Sequence, residues 1–241
     1  MSTLLEASGI AQRFGALVVL DGVDFQLASG ESVGVVGPNG AGKTTLLSIL
    51  AGSIRPTSGR IRYEGSDVTA VRADRRCRLG IARTHQIPRP FVGMSVFENV
   101  LVGAMLTRRQ GRAGSYERAV DGLETCGLVD VANRRAGDLG LLDRKRLELA
   151  RALATDPKVL FLDEIGGGLT DAEATELVAT IKELRRRGIA IIWIEHIVHI
   201  LVQAIDRLVC LDAGRIIADG LPQDVLADRA VIDAYLGASV T

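Results

Sequence analysis

The chain has 241 residues, enough for one large domain or a core with an inserted subdomain, and its 29 basic and 29 acidic residues cancel, giving no electrostatic reason to expect nucleic acid as the main partner. The longest apolar runs, such as Ile189 to Ile194, fall far short of the roughly 20 residues that a membrane-spanning helix needs. Met1 to Phe14 lacks the pattern of a signal peptide, and three scattered cysteines (Cys77, Cys126, Cys210) without a C-x-x-C pair suggest reduced thiols, so cytoplasmic residence is the default.

In chain order, Leu4 to Phe14 and Val18 to Leu27 carry strand patterns around turns at Phe14-Gly15 and Ser29-Gly30. The apolar run Ser32 to Val36 leads into a glycine-rich loop, and a helix is expected over Thr44 to Leu50. Arg60 to Tyr63 reads as a further strand. From about Ile87 to Leu153 the pattern turns helical, broken by Gly93, Gly111, Gly114, Gly137 and Gly140. That stretch reads as a helical subdomain (87–153) inserted into a core formed by 1–86 and 154–241.

Val33 to Val36, Val159 to Leu162 and Ile189 to Ile194 are nearly continuous apolar runs, as expected of parallel strands covered by helices on both faces. Between the second and third, Thr170 and Glu173 form a T-x-x-E capping box ahead of Leu177, Ile181 and Leu184, which makes a βαβ unit. Arg185, Arg186 and Arg187 close that helix before Gly188 and read as a solvated terminus that complements the helix dipole. Trp193 reads as a packed aromatic on the third strand. Arg207 to Leu211 and Arg215 to Ala218 flank Asp212-Ala213-Gly214 as a hairpin, expected to join the N-terminal strands in an antiparallel layer beside the parallel core. The fold class is α/β.

The loop Gly37-Pro38-Asn39-Gly40-Ala41-Gly42-Lys43-Thr44-Thr45 fits G-x-x-x-x-G-K-S/T between strand and helix, the pattern of a phosphate-binding loop. Glycines let successive N–H groups turn inward around phosphates, and the helix N-terminus adds partial positive charge. Lys43 would meet the β- and γ-phosphates of a nucleoside triphosphate, and the Thr44 hydroxyl would meet Mg²⁺.

Val159-Leu160-Phe161-Leu162-Asp163-Glu164 is an apolar strand ending in two carboxylates, whose tip should lie at the C-terminal edge of the sheet beside that loop. Asp163 would hold Mg²⁺ through water, and Glu164 would orient and polarise the attacking water. The third strand delivers Glu195-His196 to the same edge, where His196 could contact the γ-phosphate and report its loss.

In order and spacing these motifs resemble the ATP-binding subunit of ATP-binding-cassette (ABC) transporters over essentially the whole chain. The resemblance implies a RecA-like P-loop NTPase core with an antiparallel β layer and an inserted helical subdomain that docks on a membrane permease. It further implies that Phe14 in Arg13-Phe14-Gly15 stacks on adenine, that Gln86 in Arg83-Thr84-His85-Gln86 links Mg²⁺ to the helical subdomain, and that His196 is the switch histidine. ATP and Mg²⁺ follow as cofactors.

Gly80-Ile81-Ala82-Arg83-Thr84, Phe97-Glu98-Asn99-Val100, Arg146-Leu147-Glu148-Leu149-Ala150-Arg151 and the terminal Ala234-Tyr235-Leu236-Gly237 resemble importers of branched-chain amino acids and related polar substrates. The implied partners are integral membrane permease subunits, a second ATP-binding subunit and, indirectly, a periplasmic solute-binding protein. The implied location is the inner face of the cell membrane, reached through the permease. Lipopolysaccharide-export ATPases are the nearest alternative. A regulatory subunit with negligible turnover is a second alternative, disfavoured by the presence of Glu164. A cassette acting on DNA or ribosomes would commonly carry a coiled-coil insert or two cassettes per chain, and neither appears here.

The family's L-S-G-G-Q signature is altered. Its equivalent is Leu139-Gly140-Leu141-Leu142-Asp143: Gly140 supplies no hydroxyl, Leu142 adds bulk where backbone must approach, and Asp143 brings a carboxylate toward phosphate. Ile165 and Thr170 are smaller departures. One expectation is a subunit that hydrolyses ATP in its own phosphate loop, completed by an intact signature on a different partner. The competing expectation is a loop that reaches phosphate by backbone N–H groups alone.

Overall fold

The computed structural model describes residues 2–107 and 111–237. The first half runs β1 (Thr3–Phe14), β2 (Leu17–Ala28), β3 (Ser32–Val36), α1 (Lys43–Leu50), β4 (Ser58–Tyr63), β5 (Ser66–Asp67), α2 (Ala73–Leu79), β6 (Ile81–Arg83), α3 (Val96–Met105) and α4 (Gly111–Thr125). The second half runs α5 (Leu141–Leu153), β7 (Val159–Asp163), α6 (Asp171–Arg186), β8 (Ala190–Ile194), α7 (Val198–Leu201), β9 (Arg207–Asp212), β10 (Arg215–Gly220), α8 (Pro222–Ala227) and α9 (Arg229–Gly237).

Two sheets result: a four-stranded antiparallel sheet in the order β2-β1-β4-β5 and a six-stranded sheet in the order β10-β9-β3-β8-β7-β6. In the larger sheet β9, β3, β8, β7 and β6 are parallel, and β10 is an antiparallel edge. The closing hairpin therefore belongs to the parallel sheet and not to the antiparallel layer expected from the sequence. β9 carries Leu208, Val209, Cys210 and Leu211, all buried, and a strand apolar on both faces is stable only inside a covered sheet.

Strand alternation divides the core in two. Phe161, Ile192 and Ile194 face a cluster with Leu46, Leu47, Ile49 and the antiparallel sheet. Leu160, Leu162, Ile191 and Trp193 face the opposite cluster with helices α3 to α6. The fully buried Trp193 is packed as expected, although its ring N–H also donates to Glu195. The capping box at the start of α6 is present: Thr170 Oγ1 accepts from the Glu173 N–H at 3.3 Å, and Glu173 Oε2 accepts from the Thr170 N–H at 2.8 Å.

Helices α3, α4 and α5 pack on one another within 87–153. Gly114 does not break the pattern as expected; it is buried inside α4, where its helix penalty of roughly 1 kcal/mol is outweighed by packing. The arginines closing α6 are also less free than expected. Arg185 pairs with Asp206, Arg186 with Glu183, and Arg187 reaches Asp121 on α4 at 3.1 Å. Arg76, fully buried on α2, donates to the carbonyls of Ile49 and Leu50 at the end of α1, and to those of Val68, Thr69 and Val71. Burial pulls its pKa down to about 10, Asp67 opposing, so α1 is anchored at its C-terminal end by one desolvated guanidinium.

Candidate nucleotide-binding site

Because β3 is short and buried throughout, the chain must leave the sheet at Val36 and turn at once into α1. The turn is possible only with glycine: Gly42 has φ 104°, and at Gly37 (φ 145°) a Cβ would lie 1.9 Å from the Leu211 carbonyl oxygen. α1 opens without a side-chain cap, so its first-turn N–H groups remain available to an anion. The Lys43 ammonium lies back along the loop, donating to the carbonyls of Gly37 at 2.7 Å and Pro38 at 2.9 Å. Burial lowers its pKa, while Glu164, Cys210 and Asp163 pull it upward, which places both carboxylates in the electrostatic reach of the loop.

Strand β8 lies between β3 and β7, so Asp163 and Glu164 sit two strands from the phosphate loop at the same sheet edge. An arginine unassigned from the sequence bridges the gap. Arg83, at the end of β6, donates to Ser48 Oγ on α1 at 2.9 Å and to Asp163 Oδ2 at 2.6 Å. The other Asp163 oxygen, Oδ1, is buried without a hydrogen-bond partner among the described residues. A buried unsatisfied carboxylate oxygen, linked through Arg83 to the helix whose first turn carries Thr44, fits a site for a water-bound cation. Among the described residues no group of three or more His, Cys, Asp or Glu could hold a metal ion.

Glu164 gathers two other residues singled out from the sequence. Its Oε1 is 2.8 Å from His196 Nε2, and its Oε2 accepts from Gln86 Nε2. The backbone here is left-handed (φ 49°), which costs about 1–3 kcal/mol for a residue with a side chain, and the Glu164 N–H is held by the Ile194 carbonyl at 2.9 Å. Phe14 is half-exposed at the β1–β2 turn, and the same β2 strand runs past Gly42, whose Cβ would meet Val19 and Leu20. Asn39 and Gly40 are exposed on the loop, Pro38 is half-buried, Ala41 is buried, and Thr45 follows Thr44 in α1.

Three further groups had no role assigned from the sequence. Tyr235 on α9 accepts from the Gly37 N–H at 2.8 Å, a link of 198 positions that no local pattern could reveal. Lys145 and Glu195 are both buried near Glu164. A charged residue directly after a buried strand was the available signal for Glu195.

Residues 20–166 match the family model described as ABC transporter. The chain belongs to the ABC transporter ATP-binding family. Residues 215–241 of this cassette also match the model described as branched-chain amino acid ATP-binding cassette transporter. The chain is 36% identical, over 97% of its length and 98% of the relative's, to the high-affinity branched-chain amino acid transport ATP-binding protein BraF of Pseudomonas aeruginosa. It is 34% identical over 98% of both chains to the lipopolysaccharide export system ATP-binding protein LptB of Acidithiobacillus ferridurans. A solved ADP conformation of an ABC-transporter cassette superposes with TM-score 0.89 at 31% identity, covering 98% of this chain and 100% of that one.

The cassette is accordingly an ATPase whose family works as dimers on membrane permeases. No helix among the described residues is long and apolar enough to cross a membrane. In Leu139 to Asp143, the stretch expected to stand for the signature, Gly140 is the N-cap of α5 and makes no side-chain cap, Leu141 is 47% exposed, and Asp143 lies 3.6 Å from Arg146.

Proposed function

We propose that this cassette energises an importer of branched-chain or related amino acids, paired with a different ATPase subunit whose signature is intact. The observation that carries the reading is similarity at both scales: near-full-length identity to a branched-chain amino acid transport subunit, and a separate C-terminal match over 215–241. The C-terminal match favours import over lipopolysaccharide export. The core (1–86 and 154–241) would hold nucleotide, and the helical segment 87–153 would dock on the permease. A groove of about 410 Å³, where Arg89, Leu106, Glu148 and Arg151 of that segment meet Cys77 and His85 of the core, would receive the permease. The complex would lie on the inner face of the cell membrane, with a periplasmic binding protein supplying solute.

In this reading Phe14 stacks on adenine, and Gly37 to Thr45 enclose the phosphates. Lys43 exchanges the Gly37 and Pro38 carbonyls for β- and γ-phosphate oxygens, a swap of one set of acceptors for a more strongly charged one. Thr44, Gln86 and Asp163 would hold Mg²⁺, which neutralises developing phosphate charge when bound. Glu164 polarises water once Gln86 and His196 release it, and His196 then senses the γ-phosphate.

The altered signature argues for an unlike partner, since two copies of this chain would give two sites lacking the serine hydroxyl. Purifying the tagged chain from its native membrane tests this directly. Recovery with permease subunits, a second cassette and branched-chain-stimulated ATPase is expected; recovery with lipopolysaccharide-export components, or as a brisk ATPase alone, contradicts it.

A further inference from the structure

Two buried charges have no place in the chemistry above. Lys145, in the second turn of α5, is 5% exposed, and Glu195, just beyond β8, is 2% exposed. Charged side chains are rarely buried so far without partners. Glu195 has three: Oε1 accepts from the Gly166 N–H at 2.5 Å and the Trp193 ring N–H at 3.3 Å, and Oε2 accepts from the His196 N–H at 3.3 Å. Lys145 Nζ makes a long 3.5 Å contact with the Glu164 carbonyl oxygen and lies in the field of both Glu195 and Glu164. Burial lowers the Lys145 pKa and raises that of Glu195, and each charge partly offsets the cost of the other.

The two groups bracket one strained peptide. Glu164 holds a left-handed backbone, a conformation that persists only where the surroundings impose it. Lys145 meets its carbonyl oxygen, and Glu195 fixes the N–H two residues on while gripping the N–H of His196. We propose that Lys145 and Glu195 are positioning residues that hold Glu164 and His196 in working geometry, Lys145 tying the Glu164 carbonyl to the start of α5 and Glu195 tying the turn after β7 to the turn after β8. Neither is among the residues assigned above to nucleotide or Mg²⁺. The pair joins three chain segments, α5, the turn after β7 and the turn after β8, so a shift at the N-terminus of α5 is passed to the residues acting on water. The inference rests on the proposal that Glu164 and His196 serve hydrolysis.

The test uses the complete transporter, with kcat, KM for ATP, ATP affinity and Tm measured for Lys145→Met, Lys145→Arg, Glu195→Gln, Gly166→Ala and the double variant K145M/E195Q. Misplacing catalytic groups by a fraction of an ångström predicts a loss in kcat of about tenfold or more for K145M and for E195Q, with KM and ATP affinity within about twofold. The double variant should be no worse than the poorer single change, because the residues act as one unit. Lys145→Arg should recover at least about half of the turnover by retaining the charge. Gly166→Ala keeps both charges but sets a methyl 2.8 Å from Glu195 Oε1, so a smaller fall in kcat is expected. If K145M does not fold, E195Q and G166A decide. Unchanged kcat with lowered Tm, or ATP affinity falling in step with kcat, overturns the proposal. Glu164→Gln separates the two readings: if it turns over normally, the role given to Glu164 fails, whereas a stalled E164Q beside active K145M and E195Q overturns this inference alone.

Discussion

The phosphate loop and the altered signature are both glycine-bearing turns into a helix N-terminus, and they have fared differently. Both helices open without a side-chain cap, but at Gly37 to Lys43 the glycines are enforced by contacts such as the Leu211 carbonyl, and the far end of the helix is anchored by Arg76. At Leu139 to Asp143 only Gly140 remains small, nothing lies within 4 Å of where its Cβ would stand, and the next three residues carry bulk or charge. In the proposed function the loop that encloses phosphate within its own chain has its expected residues, while the stretch assigned to the partner's site has glycine where the family pattern has serine and Asp143 where it has glutamine. That difference is what the proposed unlike partner would explain: a subunit that receives a phosphate contact it does not return.

That contrast can be broken or sharpened experimentally. The largest effect is expected at Lys43: Lys43→Ala should lower turnover by about 100-fold or more through lost electrostatic stabilisation, read by steady-state ATPase of the complex. Retained activity would mean that the loop is not the working site. Next, Arg76→Ala should destabilise the fold by at least about 3 kcal/mol, because several buried carbonyls lose a charged donor together, read by denaturant unfolding. A smaller effect should follow from rebuilding the signature: Gly140→Ser with Leu141→Gly, Leu142→Gly and Asp143→Gln should raise the turnover of the chain alone by about tenfold. No gain would favour the backbone-only alternative. Smallest, Tyr235→Phe removes one hydrogen bond to Gly37 and should weaken ATP binding by about threefold to tenfold, read by titration with a fluorescent nucleotide.

Much of this was legible in the sequence because it depends on local chemistry. The phosphate loop is fixed by glycine spacing, the buried strands by uninterrupted apolar runs, and the start of α6 by Thr170 and Glu173. What was not legible depends on partners distant in the chain. The last hairpin was assigned to the wrong sheet, since alternation describes a strand's faces and not its neighbours. Gly114 read as a break because propensity ignores the helices packed around it. Arg83 and Arg76 carry no local signal of their partners, because only the fold brings Asp163 to one and the end of α1 to the other. Gln86, Glu164 and His196 were singled out separately, and their meeting at one carboxylate is a property of strand order.

The most direct test of the central claim is an asymmetric pair of measurements on the intact transporter. Glu164→Gln in this chain is compared with the equivalent change in its partner cassette, with ATP turnover as readout. If this loop is completed by an intact partner signature and returns a poor one, E164Q here should remove nearly all turnover and the partner's change should remove little. Equal losses from both changes, or a larger loss from the partner's, would contradict the account.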